Sequence, residues 1–188
     1  MTLDPKTEKR VSKFISLLLR HKPEVLDLEM DAAGWVSVEA LLAGLQAQHD
    51  VTMADIEAIV AADEKGRYTL ADGRIRANQG HSVTVELGLT PVAPPATLYH
   101  GTVAKFLDAI LTEGLRPQAR QHVHLSPDIT TARQVGGRRG KPVVLLVDCA
   151  ALSSAGHLFY LSDNGVWLTD HVPSACLSVL KPERGCPE

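Results

Sequence analysis

The chain has 188 residues, a hydrophobic fraction of 45% and a formal net charge of −3 at pH 7. This length allows one large domain or two small ones, and the hydrophobic fraction is ordinary for a protein with a packed core. The negative net charge excludes a bulk positive field for gripping long nucleic acid, so a local cluster must bind any anionic partner.

The three cysteines, Cys149, Cys176 and Cys186, form no C-x-x-C pair. This number and spacing fit a reducing compartment and argue against a disulfide scaffold or a zinc site. No stretch is long enough to span a membrane, and the N-terminus lacks the apolar segment of a signal peptide. We therefore expect a cytoplasmic monomer with no bound metal and no membrane partner.

The first half of the chain predicts three helices followed by a β-hairpin. Helical periodicity covers residues 9–20 and 38–45, and Thr52 with Asp55 forms a capping box for a third helix. Residues 67–70 and 74–77 alternate around an Asp-Gly turn. This order is typical of a winged helix, and the alternation places Arg67, Arg74 and Arg76 on one face of the hairpin.

Two further segments of this half carry polar groups. The C-terminal end of the first helix carries Arg20, His21 and Lys22. Cations there complement the helix dipole, and this complementation alone accounts for them. Residues 78–82 are polar or small and fit a surface loop, and residues 83–85 alternate as a strand would.

A proline-rich segment separates the two halves. Pro91, Pro94 and Pro95 favour an extended, semi-stiff linker over residues 91–97. We expect an N-terminal lobe over residues 1–90 and a C-terminal lobe over residues 98–188.

The second half is rich in short strands. Two alternating runs, residues 98–102 and 122–126, place histidines among apolar residues, and a helix over 104–115 with a stop at Gly114 follows the first run. A second helix and further strands follow. Strands and helices do not alternate regularly as they do in parallel β-α-β units, and this indicates an α+β fold. The helix covers residues 130–135, and the strands cover 142–147, 157–161, 166–169 and 177–180.

The candidate site residues fall into two sets. His100, Thr102 and His124 place hydrogen-bonding groups on strands that otherwise look like core, which suggests a site for a polar ligand. Several arginines have no paired carboxylate nearby in the sequence. A planar guanidinium group that is free in this way can bind phosphate through two hydrogen bonds. These are Arg20, Arg67, Arg74, Arg76 and Arg120; ordinary surface charge is the alternative interpretation.

Five segments, taken together and in this order, resemble the RNA 2′-phosphotransferase family, the NAD-dependent enzymes named for tRNA splicing and linked to RNA repair. The similarity extends from Val11 to Leu180. The segments are Leu-Leu-Arg-His at 18–21, Gly-Arg-Tyr at 66–68, Ile-Arg-Ala-Asn-Gln-Gly-His-Ser at 75–82, Leu-Tyr-His-Gly-Thr at 98–102 and Arg-Gln-His-Val-His-Leu-Ser at 120–126.

The resemblance implies a winged-helix lobe that binds the RNA phosphate and an ADP-ribosyltransferase-like lobe with a split β-sheet that binds NAD. It assigns catalytic roles to Arg20, His21, Arg67 and Arg120, with Arg138 and Arg139 as competitors for the last role. It assigns contacts with NAD to His100, Gly101, Thr102, His124, Ser126, Asn78, Gln79, Gly80, His81 and Ser82.

The reaction that the resemblance implies has two steps. An internal RNA 2′-phosphate attacks C1″ of the nicotinamide ribose and expels nicotinamide, and the ribose O2″ of the RNA-2′-phospho-ADP-ribose adduct then attacks phosphorus. The products are 2′-OH RNA and ADP-ribose 1″,2″-cyclic phosphate. Many ADP-ribosyltransferases carry a glutamate on the third strand of their motif, where this chain has Val166. A nucleophile that is already anionic needs no such base.

Two alternatives remain open at this point. The same residues could transfer ADP-ribose to terminal phosphates of nucleic acids, since that requires only a differently presented phosphate. A winged helix that binds nucleic acid without catalysis is the other alternative. The presence of Arg20, His21, Arg67 and His100, together with the lack of net positive charge, counts against a protein that only binds.

Overall fold

The computed structural model describes residues 3–181, and Cys186 lies outside them. The described chain divides into two compact units. Unit 1 runs to Leu89 and also includes Ala119–Gln121 and Ser162–Asn164, whereas unit 2 contains the rest of the described chain.

Unit 1 contains three helices and a three-stranded antiparallel sheet with the strand order β1-β3-β2. The helices follow the sequence-based expectation, and a single 3₁₀ turn, Pro23–Leu26, comes after the first of them. The elements are α1 (Pro5–Arg20), β1 (Val36–Ser37), α2 (Val38–Gln46), α3 (Met53–Ala61), β2 (Tyr68–Ala71) and β3 (Arg74–Ala77).

Side-chain caps fix where two of these helices begin. Helix α1 starts four residues before the predicted start, because Oδ1 of Asp4 accepts hydrogen bonds from the backbone N–H groups of Lys6 at 3.0 Å and Thr7 at 3.1 Å. The predicted capping box of α3 is confirmed, since Thr52 and Asp55 each bond the backbone of the other.

The core of unit 1 joins the apolar faces of the helices to one face of the sheet. Ile15, Leu41 and Ile56, one from each helix, are fully buried, as is Ile75 of β3. The neighbours of Ile75, Arg74 and Arg76, point to the opposite face of β3, as strand alternation requires.

One predicted strand of this half, residues 83–85, is wrong. The backbone there makes no ladder: the N–H of Val83 lies 3.4 Å from the carbonyl oxygen of Arg20, and the N–H of Glu86 donates to Ala32 at 2.7 Å. Val85 is nevertheless buried, so the apolar residues that suggested a strand serve to dock an irregular segment.

Unit 2 contains two antiparallel three-stranded sheets, with the orders β4-β6-β9 and β5-β8-β7. Its third helix, α6, was not predicted because it has only six residues and ends in two serines. The elements are β4 (Thr97–Val103), α4 (Ala104–Glu113), β5 (Val123–Leu125), α5 (Ile129–Gly137), β6 (Pro142–Asp148), α6 (Cys149–Ser154), β7 (Phe159–Leu161), β8 (Trp167–Thr169) and β9 (Leu177–Val179).

A single bridge links the two sheets of unit 2. The backbones of Tyr99 and Ser126 exchange hydrogen bonds of 2.9 and 2.7 Å, next to His100 on β4 and His124 on β5. Every strand pair in the described residues is antiparallel, which confirms the α+β class. Within residues 3–181, no helix combines the length and the apolar character needed to cross a membrane.

Helix α5 packs unusually close to strand β4 because both contribute glycine. A Cβ atom on Gly101 would lie 1.8 Å from the carbonyl oxygen of Ala132, and one on Gly136 would lie 2.8 Å from that of Thr102. The structure therefore gives Gly101 a packing role, whether or not it contacts a ligand.

We expect Gly101→Ala to destabilise the protein by about 1–3 kcal/mol or more, because the methyl group meets backbone atoms that cannot yield. Gly137→Ala, on the same helix as Ala132, is the matched control, since nothing lies within 4 Å of its added Cβ. Urea denaturation of the two variants measures the difference. Equal midpoints would contradict the proposed close packing.

Candidate functional site

The C-terminal end of α1 is joined to the segment of residues 78–82. The helix ends at Arg20, and the N–H of His21 donates to the carbonyl oxygen of Leu17 at 2.9 Å. The carbonyl oxygen of Arg20 has no partner within its own helix and accepts a hydrogen bond from the N–H of Ser82 at 2.9 Å. This contact fixes the Arg20–His21 pair against a segment sixty residues away in sequence.

The side chain of Ser82 holds the imidazole of His21. Oγ of Ser82 lies 2.9 Å from Nδ1 of His21, which leaves Nε2 for a ligand. Burial lowers the pKa of His21, and the positive charges of Arg20 and Arg120 lower it further. His21 is therefore neutral at neutral pH and able to accept a proton.

Two nitrogens of the Arg20 guanidinium group are buried with unmet hydrogen-bonding capacity. Among the described residues, Nε and Nη2 of Arg20 have no hydrogen-bond partner. Burial lowers the pKa of Arg20, and the positive charges of Arg67 and Arg120 act in the same direction, whereas Tyr68 and Asp63 oppose them. A bound anion would relieve both the repulsion and the unmet donors, which identifies this cluster as a candidate anion site.

Arg67 is held by a carboxylate that the sequence analysis overlooked. Gly66 adopts a positive φ of 51° and turns the chain, so that both the N–H and the guanidinium group of Arg67 donate to Asp63. The expectation that the candidate arginines lack nearby carboxylates is wrong for Arg67.

The two arginines of β3 have no carboxylate partner nearby in sequence, as expected, but each pairs with a distant one. Arg74 pairs with Asp31 at 3.3 Å and Arg76 with Asp163 at 3.2 Å, so neither presents an unpaired charge. Both guanidinium groups also lie over the ring of Trp35, at 5.3 and 4.8 Å from its centroid. These partners are far away in sequence, which is why the sequence did not reveal them.

Residues 78–82 are not the surface loop that their composition suggests. Asn78 is buried, donates from Nδ2 to the carbonyl oxygen of Gly66 at 2.7 Å and accepts from the hydroxyl of Thr69 at 2.6 Å. Its N–H donates to the carbonyl oxygen of Arg67 at 2.9 Å. Asn78 thus supports the turn that presents Arg67, while contacts of Asn78, Gln79 and Gly80 with NAD remain predictions.

His81 is a buried histidine that carries no charge. Its side chain is 1% exposed, and neither ring nitrogen has a hydrogen-bond partner among the described residues. Burial lowers its pKa to about 4, with further lowering from Arg20, His21 and Arg76. A neutral His81 adds no further positive charge to the arginine cluster.

Arg120 belongs to the same unit as Arg20 and His21. The N–H of its neighbour Gln121 donates to the carbonyl oxygen of His81 at 3.2 Å, and the Gln121 side chain donates to Val85 at 3.0 Å. The charge of Arg120 lowers the pKa of both Arg20 and His21.

The competing arginines are placed differently. Arg138 and Arg139 are exposed, as Arg120 is, but they follow α5 in unit 2. Neither is among the charges that shift the pKa of Arg20 or His21. The geometry therefore favours Arg120 as the fourth member of the cluster, although its catalytic role remains a prediction.

In unit 2, the residues expected to bind NAD lie on β4 and at the adjoining end of β5. Nδ1 of His100 is 3.0 Å from the carbonyl oxygen of His124, and this contact fixes the orientation of the imidazole. Thr102 and Ser126 are buried, at 7% and 9% exposure.

Sequence reasoning missed two residues that support the turn carrying Arg67 in unit 1. Asp63 lies four positions before Arg67, a spacing that the i, i+4 rule could have flagged. Asn164 donates from Nδ2 to the carbonyl oxygen of Lys65 at 2.8 Å, across 99 positions of sequence, and no local pattern indicates that contact.

Comparison with known proteins agrees with the motifs. The family model described as RNA 2′-phosphotransferase, Tpt1 / KptA family, matches residues 6–171. A protein of Hahella chejuensis is 54% identical over 175 residues, covering 92% of this chain and 94% of the relative. It carries the name "Probable RNA 2′-phosphotransferase".

Two further relatives carry the same name. One from Streptomyces griseus is 53% identical over 182 residues, covering 91% of this chain and 96% of the relative. One from Rhizobium leguminosarum is 51% identical over 183 residues, covering 97% of this chain and 98% of the relative.

We expect acidification to destabilise the protein through His81. The unfolded chain binds a proton at His81 below the ordinary pKa of 6.5, whereas the folded protein resists protonation down to about 4. The free energy of unfolding should therefore fall as the pH drops from 6.5 to 4, by up to about 1.4 kcal/mol per pH unit. Urea denaturation across this range measures the slope, and His81→Gln should reduce it. An unchanged slope in the variant would contradict this assignment.

Proposed function

Because the chain belongs to the RNA 2′-phosphotransferase family, we propose that it removes internal 2′-phosphates from RNA and uses NAD as the acceptor. Unit 1 would be the winged-helix lobe that binds the RNA phosphate, and unit 2 the ADP-ribosyltransferase-like lobe that binds NAD. The order of helices and hairpin in unit 1 and the two linked sheets of unit 2 fit these assignments.

The arginine cluster is the observation that carries the proposal. Arg20 lies near the positive charges of Arg67 and Arg120, and its Nε and Nη2 atoms are buried without partners among the described residues. A phosphate dianion matches this arrangement in charge and in its capacity to accept several hydrogen bonds. A neutral substrate would satisfy neither requirement.

The residues of unit 2 fit a polar dinucleotide. The imidazole of His100, held by a backbone carbonyl group, and the hydroxyl groups of Thr102 and Ser126 are hydrogen-bonding groups suited to ribose hydroxyls and an amide. Bound there, NAD would supply an electrophilic ribose carbon and a nicotinamide leaving group. We propose His100, Thr102, His124 and Ser126 as its contacts.

The unit 1 residues suit both steps of the reaction. In the first, a 2′-phosphate oxygen bonds to C1″ as the bond to nicotinamide breaks. The phosphate is already an anion, so the arginines need only orient it. In the second, O2″ bonds to phosphorus and the RNA 2′-oxygen leaves. The arginines then stabilise the negative charge on the phosphoryl oxygens.

We assign the proton transfer of the second step to His21. Its imidazole is neutral, so it can accept the proton of the attacking O2″ hydroxyl. The neighbouring positive charges of Arg20 and Arg120 make the protonated ring give that proton up readily, and the departing RNA 2′-oxygen takes it. Ser82 holds Nδ1 throughout, which keeps Nε2 available for the transfer.

The proposal is tested with a short RNA that carries one internal 2′-phosphate. We expect the purified protein to convert it to 2′-OH RNA only when NAD is added, with one nicotinamide released per phosphate removed. Arg67→Ala should slow turnover by about 100-fold or more and retain a normal melting transition. Binding of the RNA without turnover would favour a non-catalytic protein, and ADP-ribose left on a terminal phosphate would favour the alternative transfer.

We expect His21→Ala to accumulate RNA-2′-phospho-ADP-ribose, because only the second step needs a proton acceptor. Ser82→Ala should show the same pattern more weakly, since it only loosens the ring. Quenched reactions of end-labelled RNA resolve substrate, intermediate and product on a gel. Equal slowing of both steps in His21→Ala would contradict the role assigned to His21.

A further inference from the structure

A cluster of exposed cations surrounds an exposed aromatic ring in unit 2, and the mechanism uses none of it. The cluster lies at the start of α4 and in the segment that joins α5 to β6, and we call it the basic patch. Its members are Lys105, Phe106, Arg138, Arg139 and Lys141, all of them exposed.

Strand pairing brings the two parts of the basic patch together. Val103, the last residue of β4, pairs with Pro142, the first residue of β6. The first turn of α4 therefore lies beside residues 138–141. Phe106 is 37% exposed, with Nζ of Lys105 at 4.7 Å and Cζ of Arg139 at 6.0 Å from its ring centroid.

The cations of the basic patch differ from Arg67, Arg74 and Arg76 of unit 1 in lacking acidic partners among the described residues. Within residues 3–181, no carboxylate lies within 4.0 Å of a charged nitrogen of Lys105, Arg138, Arg139 or Lys141. Arg67, Arg74 and Arg76 each have one. In a chain with a net charge of −3, an unneutralised cluster of this kind points to an anionic partner.

The position of Lys105 argues against a purely structural role. It lies in the first turn of α4, where the helix dipole is positive and a cation costs about 0.3–1 kcal/mol. The helix end thus adds to the positive field of the patch. This arrangement disfavours folding slightly and favours the binding of an anion.

We propose that the basic patch binds the RNA strand of the substrate beyond the reacting 2′-phosphate. A base would stack on Phe106, and the cations would contact backbone phosphates. The basic patch begins just after the end of β4. Val103, the last residue of this strand, lies three residues after His100, a distance of about 10 Å along the strand. The inference rests on the proposed function, because it takes the RNA substrate of that function as the ligand of the basic patch.

An exposed ring flanked by cations favours RNA over an acidic peptide, since bases offer a stacking face together with phosphates. It also favours RNA over NAD, because the repeated cations match a repeating phosphate backbone. The basic patch should therefore affect long RNA and leave the shortest substrates and NAD unaffected.

The test compares two substrates with the same 2′-phosphate: a dinucleotide and an RNA of about 15 nucleotides. In Lys105→Gln/Arg139→Gln, we expect KM for the long RNA to rise about tenfold or more, with unchanged kcat and unchanged KM for the dinucleotide and NAD. Phe106→Ala should raise KM for the long RNA without changing its salt dependence. The matched control is Lys9→Gln/Arg116→Gln, which removes two exposed cations elsewhere.

A parallel binding measurement uses the long RNA without its 2′-phosphate, followed by fluorescence anisotropy at several salt concentrations. The slope of log K against log salt should decrease by about 1.4 in Lys105→Gln/Arg139→Gln, at about 0.7 per charge on single strands. The control double variant should keep the wild-type slope. Melting temperatures verify that all variants are folded.

The outcomes separate this inference from the proposed function. Unchanged affinity for the long RNA in Lys105→Gln/Arg139→Gln would overturn the inference, as would a rise in KM for NAD. Binding of the patch to anionic lipid vesicles in preference to RNA would also overturn it. If the wild-type protein turned over neither substrate, the proposed function would fail, and the anisotropy measurement would still decide whether the patch binds RNA.

Discussion

Unit 1 depends on one constraint: Nε and Nη2 of Arg20 are buried with no hydrogen-bond partner among the described residues. Removing a cation from water without giving it a partner is costly, and the nearby positive charges of Arg67 and Arg120 add to that cost. The fold tolerates it because α1 is anchored elsewhere, through its buried apolar face and the hydrogen bond from Ser82 to its last carbonyl oxygen. The free protein is therefore less stable at this position than it would be with an anion bound beside Arg20.

The surrounding residues keep this charge in place without neutralising it. Asn78 bonds the backbone on both sides of the Gly66–Arg67 peptide, and Asp63 holds the Arg67 side chain. Burial keeps His81 uncharged, so its ring fills space beside Arg20 and adds no repulsion. Each of these contacts orients a cation or limits the total charge, and together they make this cluster a candidate anion site.

Local patterns predicted most elements of the fold, whereas the site depends on contacts that no local pattern contains. The capping box at Thr52 and the hairpin around residues 72–73 follow from short-range rules, and the structure contains both. The burial of residues 78–81 and the bond from Asn164 to Lys65 arise between distant segments. Motifs named Arg20, His21 and Arg67. A spacing rule could have added Asp63, whereas the contact of Ser82 with His21 spans 61 positions and has no local signal.

The chain uses positive charge in two distinct ways, and the difference follows from burial and pairing. A cation that must act on one atom needs a fixed position, and Arg67 obtains it from Asp63, whose side chain is only 5% exposed. A cation that must follow a flexible strand needs reach and solvent, and the cations of the basic patch have both, with no acidic partner within residues 3–181. A buried, oriented cluster discriminates one phosphate from water, whereas an exposed cluster responds to the number of phosphates near it. Selectivity for a 2′-phosphate and affinity for the RNA that carries it can therefore be set by separate residues.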